Sequence, residues 1–406
     1  HIHSLKRIGD YQRPSLKPLR TLVKWMTGSD PHPTAAQVNS LAQYTLMGDP
    51  LADGVVAMYK SLPAGQGRKL VDQALERGIE SVENPPQALV DLFAQLDHEP
   101  LWLDRDKIRL GCRVSRRVGV WGELVLRNMS LMGGYLGAAA AKPLVFTGQL
   151  DRMTPRRLVE TGKFWMDVTT PGGLDRFQDG FKSAVHVRMM HAQVRAMLVQ
   201  SDKWKMEWGH PLNQADSMAT ILEFSAVFLT GLRALGFIFS KREREAVYHL
   251  WRYIGYLMGV EERILPVDED DAMRALYLVL ACIPDSDDDT RALGQALGNS
   301  PLHFAKEDRL SQSLAKVERT LRIGYTRYIL GDKAGDALGL PRTYAKYFWP
   351  AQFPLRFASE LVRKGVPPLD NLLYTLGEKA AREQFPQQVE QTRADTTFTP
   401  VSQLAR

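Results

Sequence analysis

Cysteine is nearly absent from this 406-residue chain, which carries only Cys112 and Cys282. Two thiols cannot build the disulfide framework of a small secreted domain, and they read as separate buried residues. No HExxH and no paired CxxC is present to make a zinc site, and the nine histidines are scattered through unrelated contexts. Basic clusters interleaved with aromatics are also missing. The formal charge of +6 and the pI near 9.1 therefore describe a solvated surface, and nucleic acid is not an expected partner. An uninterrupted membrane-spanning run is lacking too. The most apolar stretch, Met218 to Phe239, contains Glu223 and Arg233, and a charge near the centre of a spanning helix costs about 2.5–3.5 kcal/mol. That stretch is expected to be a buried core helix.

What remains is ordinary globular composition, 44% hydrophobic and 24% charged, with the periodicity of helices. Residues 1–38, punctuated by Pro14, Pro18, Pro31 and Pro33, read as an N-terminal arm wrapped on the rest. Residues 39–340 read as one helical domain, and 341–406 as a C-terminal extension packed on it and ending in a mobile polar tail. Within the domain, short amphipathic helices are separated by Gly48-Asp49-Pro50, Pro63-Ala64-Gly65 and Pro85-Pro86. A long helical stretch follows over 105–148; its small residues Gly133, Gly134, Gly137 and Ala138 to Ala141 suit close helix packing. Thr154 as N-cap and Pro155 at the first turn are expected to launch a helix from Arg156 to Val168, and Ser240 another from Lys241 to Val260, with Gly255 and Gly259 on a packing face. The chain opens on His1, so any export signal is expected upstream of it.

Chemistry concentrates in the stretch Phe181 to Gln200, FKSAVHVRMMHAQVRAMLVQ. On a helix, Arg188 lies roughly 60° to one side of His191 and Arg195 roughly 40° to the other, so the three are expected to face one neighbour. Val187, Val194 and Leu198 extend the stripe with apolar surface. Two guanidiniums flanking an imidazole suit a planar cofactor that carries two carboxylates and an iron, which is haem b. A hydrogen-bonded core histidine, with arginines reaching carboxylates on neighbouring helices, fits the same spacing. Without a CxxCH segment, any haem is held non-covalently. On the preceding helix, Arg157, Glu160, Thr161 and Phe164 stand three to four residues apart and share a side; a surface pairing of Arg157 with Glu160 is the plainer reading.

These segments together resemble a known family. Met47-Gly-Asp-Pro-Leu-Ala-Asp53, Arg157-Leu-Val-Glu-Thr161, Arg188-Met-Met-His-Ala-Gln-Val-Arg195, Gly209-His-Pro-Leu-Asn-Gln214 and Trp251-Arg-Tyr-Ile-Gly-Tyr-Leu-Met-Gly-Val260, in that order, are similar to the latex clearing protein or rubber oxygenase family, which also has fungal membrane-associated relatives. The resemblance implies an all-α fold with a globin-like helical core and capping helices. It implies one haem b, dioxygen as co-substrate, and oxidative cleavage or oxidation of a C=C bond in a lipophilic, isoprenoid substrate. The protein would be a monomer, not transmembrane and at most membrane-peripheral. Export to the periplasm or outside the cell is favoured over the cytoplasm.

Carried over by position, the resemblance makes His191 the iron ligand, Arg188 and Arg195 its flanking cofactor-binding residues, and Arg157 and Thr161 distal residues. The sequence departs at two places. Glu160 stands where rubber-cleaving members have a lysine, and alanines with Lys142 stand before Pro143 where those members have a catalytic glutamate. Glu160 in a dry pocket is then expected to have a raised pKa and to act as the catalytic acid or base, with Lys163 as the substitute cation; Phe224 and Phe228 are candidate channel lining, though core packing alone explains them and is favoured. A non-catalytic haem sensor or carrier fits the same residues, and a helical scaffold without cofactor is the third reading.

Overall fold

Two helices whose apolar faces meet along their length, Arg105–Arg117 and Lys241–Leu257, form the centre of the fold. Gly111 permits their approach, since a Cβ there would lie 2.4 Å from the carbonyl oxygen of Ala246. Both start cleanly. Asp104 accepts from the backbone N–H groups of Asp106 and Lys107, and Ser240 and Glu243 form a reciprocal capping box. His249 joins the two ends: its Nε2 accepts from the Asp104 backbone N–H at 2.8 Å. Burial pushes that imidazole's pKa down to about 4, so it stays the neutral acceptor this bond needs.

The computed structural model describes residues 7–146 and 150–394, and among these every regular element is helical. The apolar run forms a helix over Gln214–Ala234, long and apolar enough to cross a membrane. Met218, Ile221, Leu222, Phe228, Leu229 and Leu232 are buried in the main core, where the apolar composition is used as expected. The helix ends before Leu235 rather than at Phe239, and its middle, Glu223–Val227, is a π-helical turn. A second π-helical segment, Leu126–Leu131, faces it. The helix Asp179–Val199 packs between Leu150–Val168 and Pro50–Tyr59.

Several boundaries differ from the sequence reading. The arm over 1–38 contains a helix, Lys17–Thr27, because prolines 14 and 18 fall at its entrance, where a missing N–H costs nothing. Ahead of that helix, Gly9 donates to the Cys282 carbonyl, and Arg13 to those of Leu280 and Ile283. The stretch 105–148 is broken at Gly119, which takes a left-handed φ of +53° after the first helix closes, and again at Gly137 before Ala138–Phe146; positions 147 and 148 lie outside the described residues. Thr154 is not an N-cap, since Leu150–Val168 runs through Pro155 within its first two turns. The Lys241 helix stops at Leu257, leaving Gly259 beyond it at φ +77°. The C-terminal extension is more regular than expected, with helices Phe353–Gly365 and Pro367–Thr392; the expected mobile tail lies, from residue 395, outside the described residues. Cys112 and Cys282 are separate buried thiols.

Gly111→Ala places a methyl group into the central helix crossing, so it is expected to destabilise the protein by about 1–3 kcal/mol in a denaturant melt. A Gly111→Ala protein with wild-type stability would mean the two helices separate freely at that point.

Candidate active site

On the helix Asp179–Val199, Val187, Met190, His191 and Val194 line a largely apolar cavity of about 2220 Å³, whose wall also carries Arg157, Glu160, Thr161, Phe164, Glu223, Phe224 and Trp251. Phe224 stacks on Trp251 with ring centres 4.4 Å apart, and Phe164 meets Phe224 edge-on. The His191 ring has no hydrogen-bond partner among the described residues, and its pKa is pushed down to about 4, first by burial and then by the Arg195 cation. It is therefore a neutral imidazole with an available lone pair, directed at an apolar space.

The arginines project from the flanks of the same stripe, but their guanidiniums do not join His191 at the cavity. Arg188 turns away from the cavity and is 2% exposed. Its Nε and Nη2 donate to the two carboxylate oxygens of Asp49 at 2.6 and 3.0 Å, while Nη1 donates to Gln95 Oε1 at 2.6 Å and to the Leu257 carbonyl at 3.2 Å. Arg195, two turns on, pairs with Asp53 through Nε at 2.8 and 3.0 Å and donates from Nη1 to the Leu212 carbonyl. Each guanidinium is already matched by a protein carboxylate, so neither is placed to receive a cofactor's carboxylate. Desolvation decides this: a buried cation needs its partner inside the protein whether or not a ligand is present.

This polar layer knits together the segments that carry the family resemblance. Asp49 also caps the helix Pro50–Tyr59, accepting from the Ala52 N–H. Gln214 donates to the carbonyls of Gly48 and Gly259, both at 2.9 Å, and accepts from the Glu261 N–H at 2.7 Å. Gly259 must be glycine on two counts: its φ is positive, and a Cβ would stand 2.3 Å from Asp49 Oδ2 and 2.5 Å from Arg188 Nε. Asp49 and Asp53 were missed as partners. Their signal was two acids one turn apart matching two arginines two turns apart.

On the Leu150–Val168 helix, Arg157, Glu160 and Thr161 all reach the cavity wall. Arg157 donates to the Leu144 carbonyl at 3.0 Å. Glu160 is paired, though with Arg156 one turn earlier rather than with Arg157: Arg156 donates to it at 2.7 Å. Lys163 is drawn to Asp167 at 2.5 Å and does not line the cavity. Lys142 is buried against Asp287, at 2.6 Å, and Asp289. Phe224 is cavity wall, whereas Phe228 is core.

The acid that sequence reasoning passed over is Glu223, noted only as a charge in an apolar run. It begins the π-helical turn, lines the cavity, and has no cation or hydrogen-bond partner for its carboxyl among the described residues. Burial alone pushes its pKa up to about 8. Gly134 makes room for it, since a Cβ there would lie 2.4 Å from Oε1.

Comparison with known proteins decides the family. Residues 116–363 match the model of the ER-bound oxygenase mpaB/B'/Rubber oxygenase catalytic domain. The chain belongs to this oxygenase family. It is similar to the rubber oxygenase of Streptomyces sp. (strain K30), 26% identical over 319 residues that make up 76% of this chain and 72% of the relative. Its fold is that of a latex clearing protein solved in the closed state: TM-score 0.63, 22% identity, covering 83% of this chain and 90% of the other. The acids of the buried lock, Asp49 and Asp53, precede the segment that defines the oxygenase family.

Two outcomes follow. Asp49→Ala strands the buried Arg188 charge and should cost about 3–5 kcal/mol in a denaturant melt, whereas Asp49→Leu with Arg188→Met should recover a large part of the loss. For Glu223, a glutamate in the unfolded chain titrates near 4.3, as free glutamates do. Between there and about 8 the folded protein therefore holds one proton more than the unfolded chain, and stability falls as pH rises through that window. Melting temperatures of Glu223→Gln should decline less between pH 5 and pH 8, roughly that window, than those of the wild type; parallel profiles would show that the carboxyl is solvated.

Proposed function

We propose that the chain binds haem b non-covalently through His191 and, with dioxygen as co-substrate, oxidises or cleaves a carbon–carbon double bond of a lipophilic, isoprenoid molecule. The observation that carries this reading is the neutral His191 imidazole, without a hydrogen-bond partner among the described residues, facing a large apolar cavity in a member of an oxygenase family. The donor set fits an iron porphyrin at the metal: a single imidazole nitrogen with its lone pair free, in a space large and apolar enough for a planar macrocycle. It fits less well at the porphyrin carboxylates, because Arg188 and Arg195 are held by Asp49 and Asp53. Those arginines position the helix instead. The name of the curated relative, rubber oxygenase, supports an isoprenoid as the substrate class.

When bound, the haem would supply the redox chemistry that activates dioxygen. The chain's own residues do the rest. Arg195 and burial hold His191 in its neutral form at physiological pH. Phe164, Phe224 and Trp251 keep the wall dry and hold an alkene by apolar contact. Arg157 and Thr161 bring a guanidinium and a hydroxyl to the same wall, and Glu160, anchored by Arg156, brings a carboxylate.

The purified protein is expected to show a Soret band, and His191→Ala to lose most of it. Oxygen uptake should accelerate with isoprenoid alkenes and yield carbonyl products. A protein that holds haem through His191 yet consumes no oxygen with any alkene would be a haem sensor or carrier instead.

A further inference from the structure

Every other carboxylate on the cavity wall has a cation of its own. Glu123 pairs with Arg127 and Arg322, Glu160 with Arg156, Asp216 with Arg7, and Glu318 with Arg322. Glu223 has none among the described residues. Gly134, whose missing side chain leaves room for the carboxyl, stands beside it, and the stacked rings of Phe224 and Trp251 line the same cavity. The chain bends into a π-helical turn at that residue, a distortion found disproportionately at functional sites, and the Ser130 hydroxyl secures the turn by donating to the Glu223 carbonyl at 2.8 Å. Tyr135 is the neighbouring titratable group whose own ionisation Glu223 opposes; burial is the larger cause of that upward shift.

We propose that the substrate carries a hydroxyl or carbonyl group at one end of its isoprenoid chain, and that the Glu223 carboxyl hydrogen-bonds it inside the cavity. This rests on the reading that the cavity takes an isoprenoid, and it narrows the class: a pure hydrocarbon leaves the carboxyl without a partner, whereas an oxygen function completes it. A site built to hydrogen-bond a ligand's oxygen discriminates against the analogue that lacks it, because the buried polar group is then left unmatched. The acid form, favoured by burial to a pKa of about 8, both donates to an oxygen and accepts from a hydroxyl, so alcohols and ketones are received and no counter-cation is needed.

The test compares geranylgeraniol with the hydrocarbon of the same skeleton lacking the hydroxyl. Each is titrated into the purified full chain at neutral pH and read by tryptophan fluorescence, since Trp165 and Trp251 line the cavity. The alcohol is expected to bind about tenfold tighter, the worth of one well-shielded hydrogen bond. Glu223→Leu should abolish that preference while retaining the hydrocarbon, and Glu223→Gln, whose amide also donates and accepts, should keep most of it. Equal binding of the two ligands by the wild type, or an unchanged preference in Glu223→Leu, overturns the proposal and leaves the isoprenoid reading intact. Failure of both ligands to bind overturns both.

Discussion

The buried ion pair between Arg188 and Asp49 is the constraint on which the site depends. A guanidinium that is almost wholly shielded from water must be matched inside the protein, and Asp49 matches it with both oxygens. That requirement fixes the start of the Pro50–Tyr59 helix against the His191 helix. It also forces glycine at position 259, while His191, between the two arginines on the same helix, lines the cavity. Arg195 and Asp53 repeat the arrangement two turns on, and their cation helps keep the imidazole neutral. The arginines thus act on the candidate ligand from its flanks, by position and by charge.

The cavity wall divides its acids by environment. Those beside arginines are tied to them, while Glu223, beside Gly134, has no cation among the described residues and burial favours its protonated form. A carboxyl of this kind is costly to the fold as pH rises. Its persistence in the most apolar helix, at a π-helical distortion with glycine opposite, is what directs attention to a ligand.

Much of the architecture was legible in the sequence. The all-helical class, the short helices set off by Gly48-Asp49-Pro50 and Pro85-Pro86, and the burial of the apolar run followed from periodicity, punctuation and two internal charges. Spacing singled out His191 as a candidate, and the structure brings it together with Arg157, Glu160 and Thr161 at one cavity. What periodicity could not supply was the direction of each guanidinium. Arg188 and Arg195 lie close enough to His191 in helical angle to suggest one face, yet their long side chains follow the nearest carboxylates, and those belong to a helix about 140 residues away in sequence. Glu160 reaches the cavity wall as well, but its pairing with Arg156 one turn earlier was not foreseen. Glu223 was visible only as an argument against a membrane span; the space that Gly134 leaves for its carboxyl is made only by the tertiary fold.

The proposed haem would be held by a single imidazole, and the most direct measurement is cofactor rescue. His191→Gly removes the ring without disturbing the Arg188–Asp49 lock beside it. Its absorption spectrum after reconstitution with haem should lack a ligated Soret band, and added imidazole should restore one as it fills the vacated space. Full retention of haem by His191→Gly without imidazole, or a band that imidazole leaves unchanged, would contradict the account.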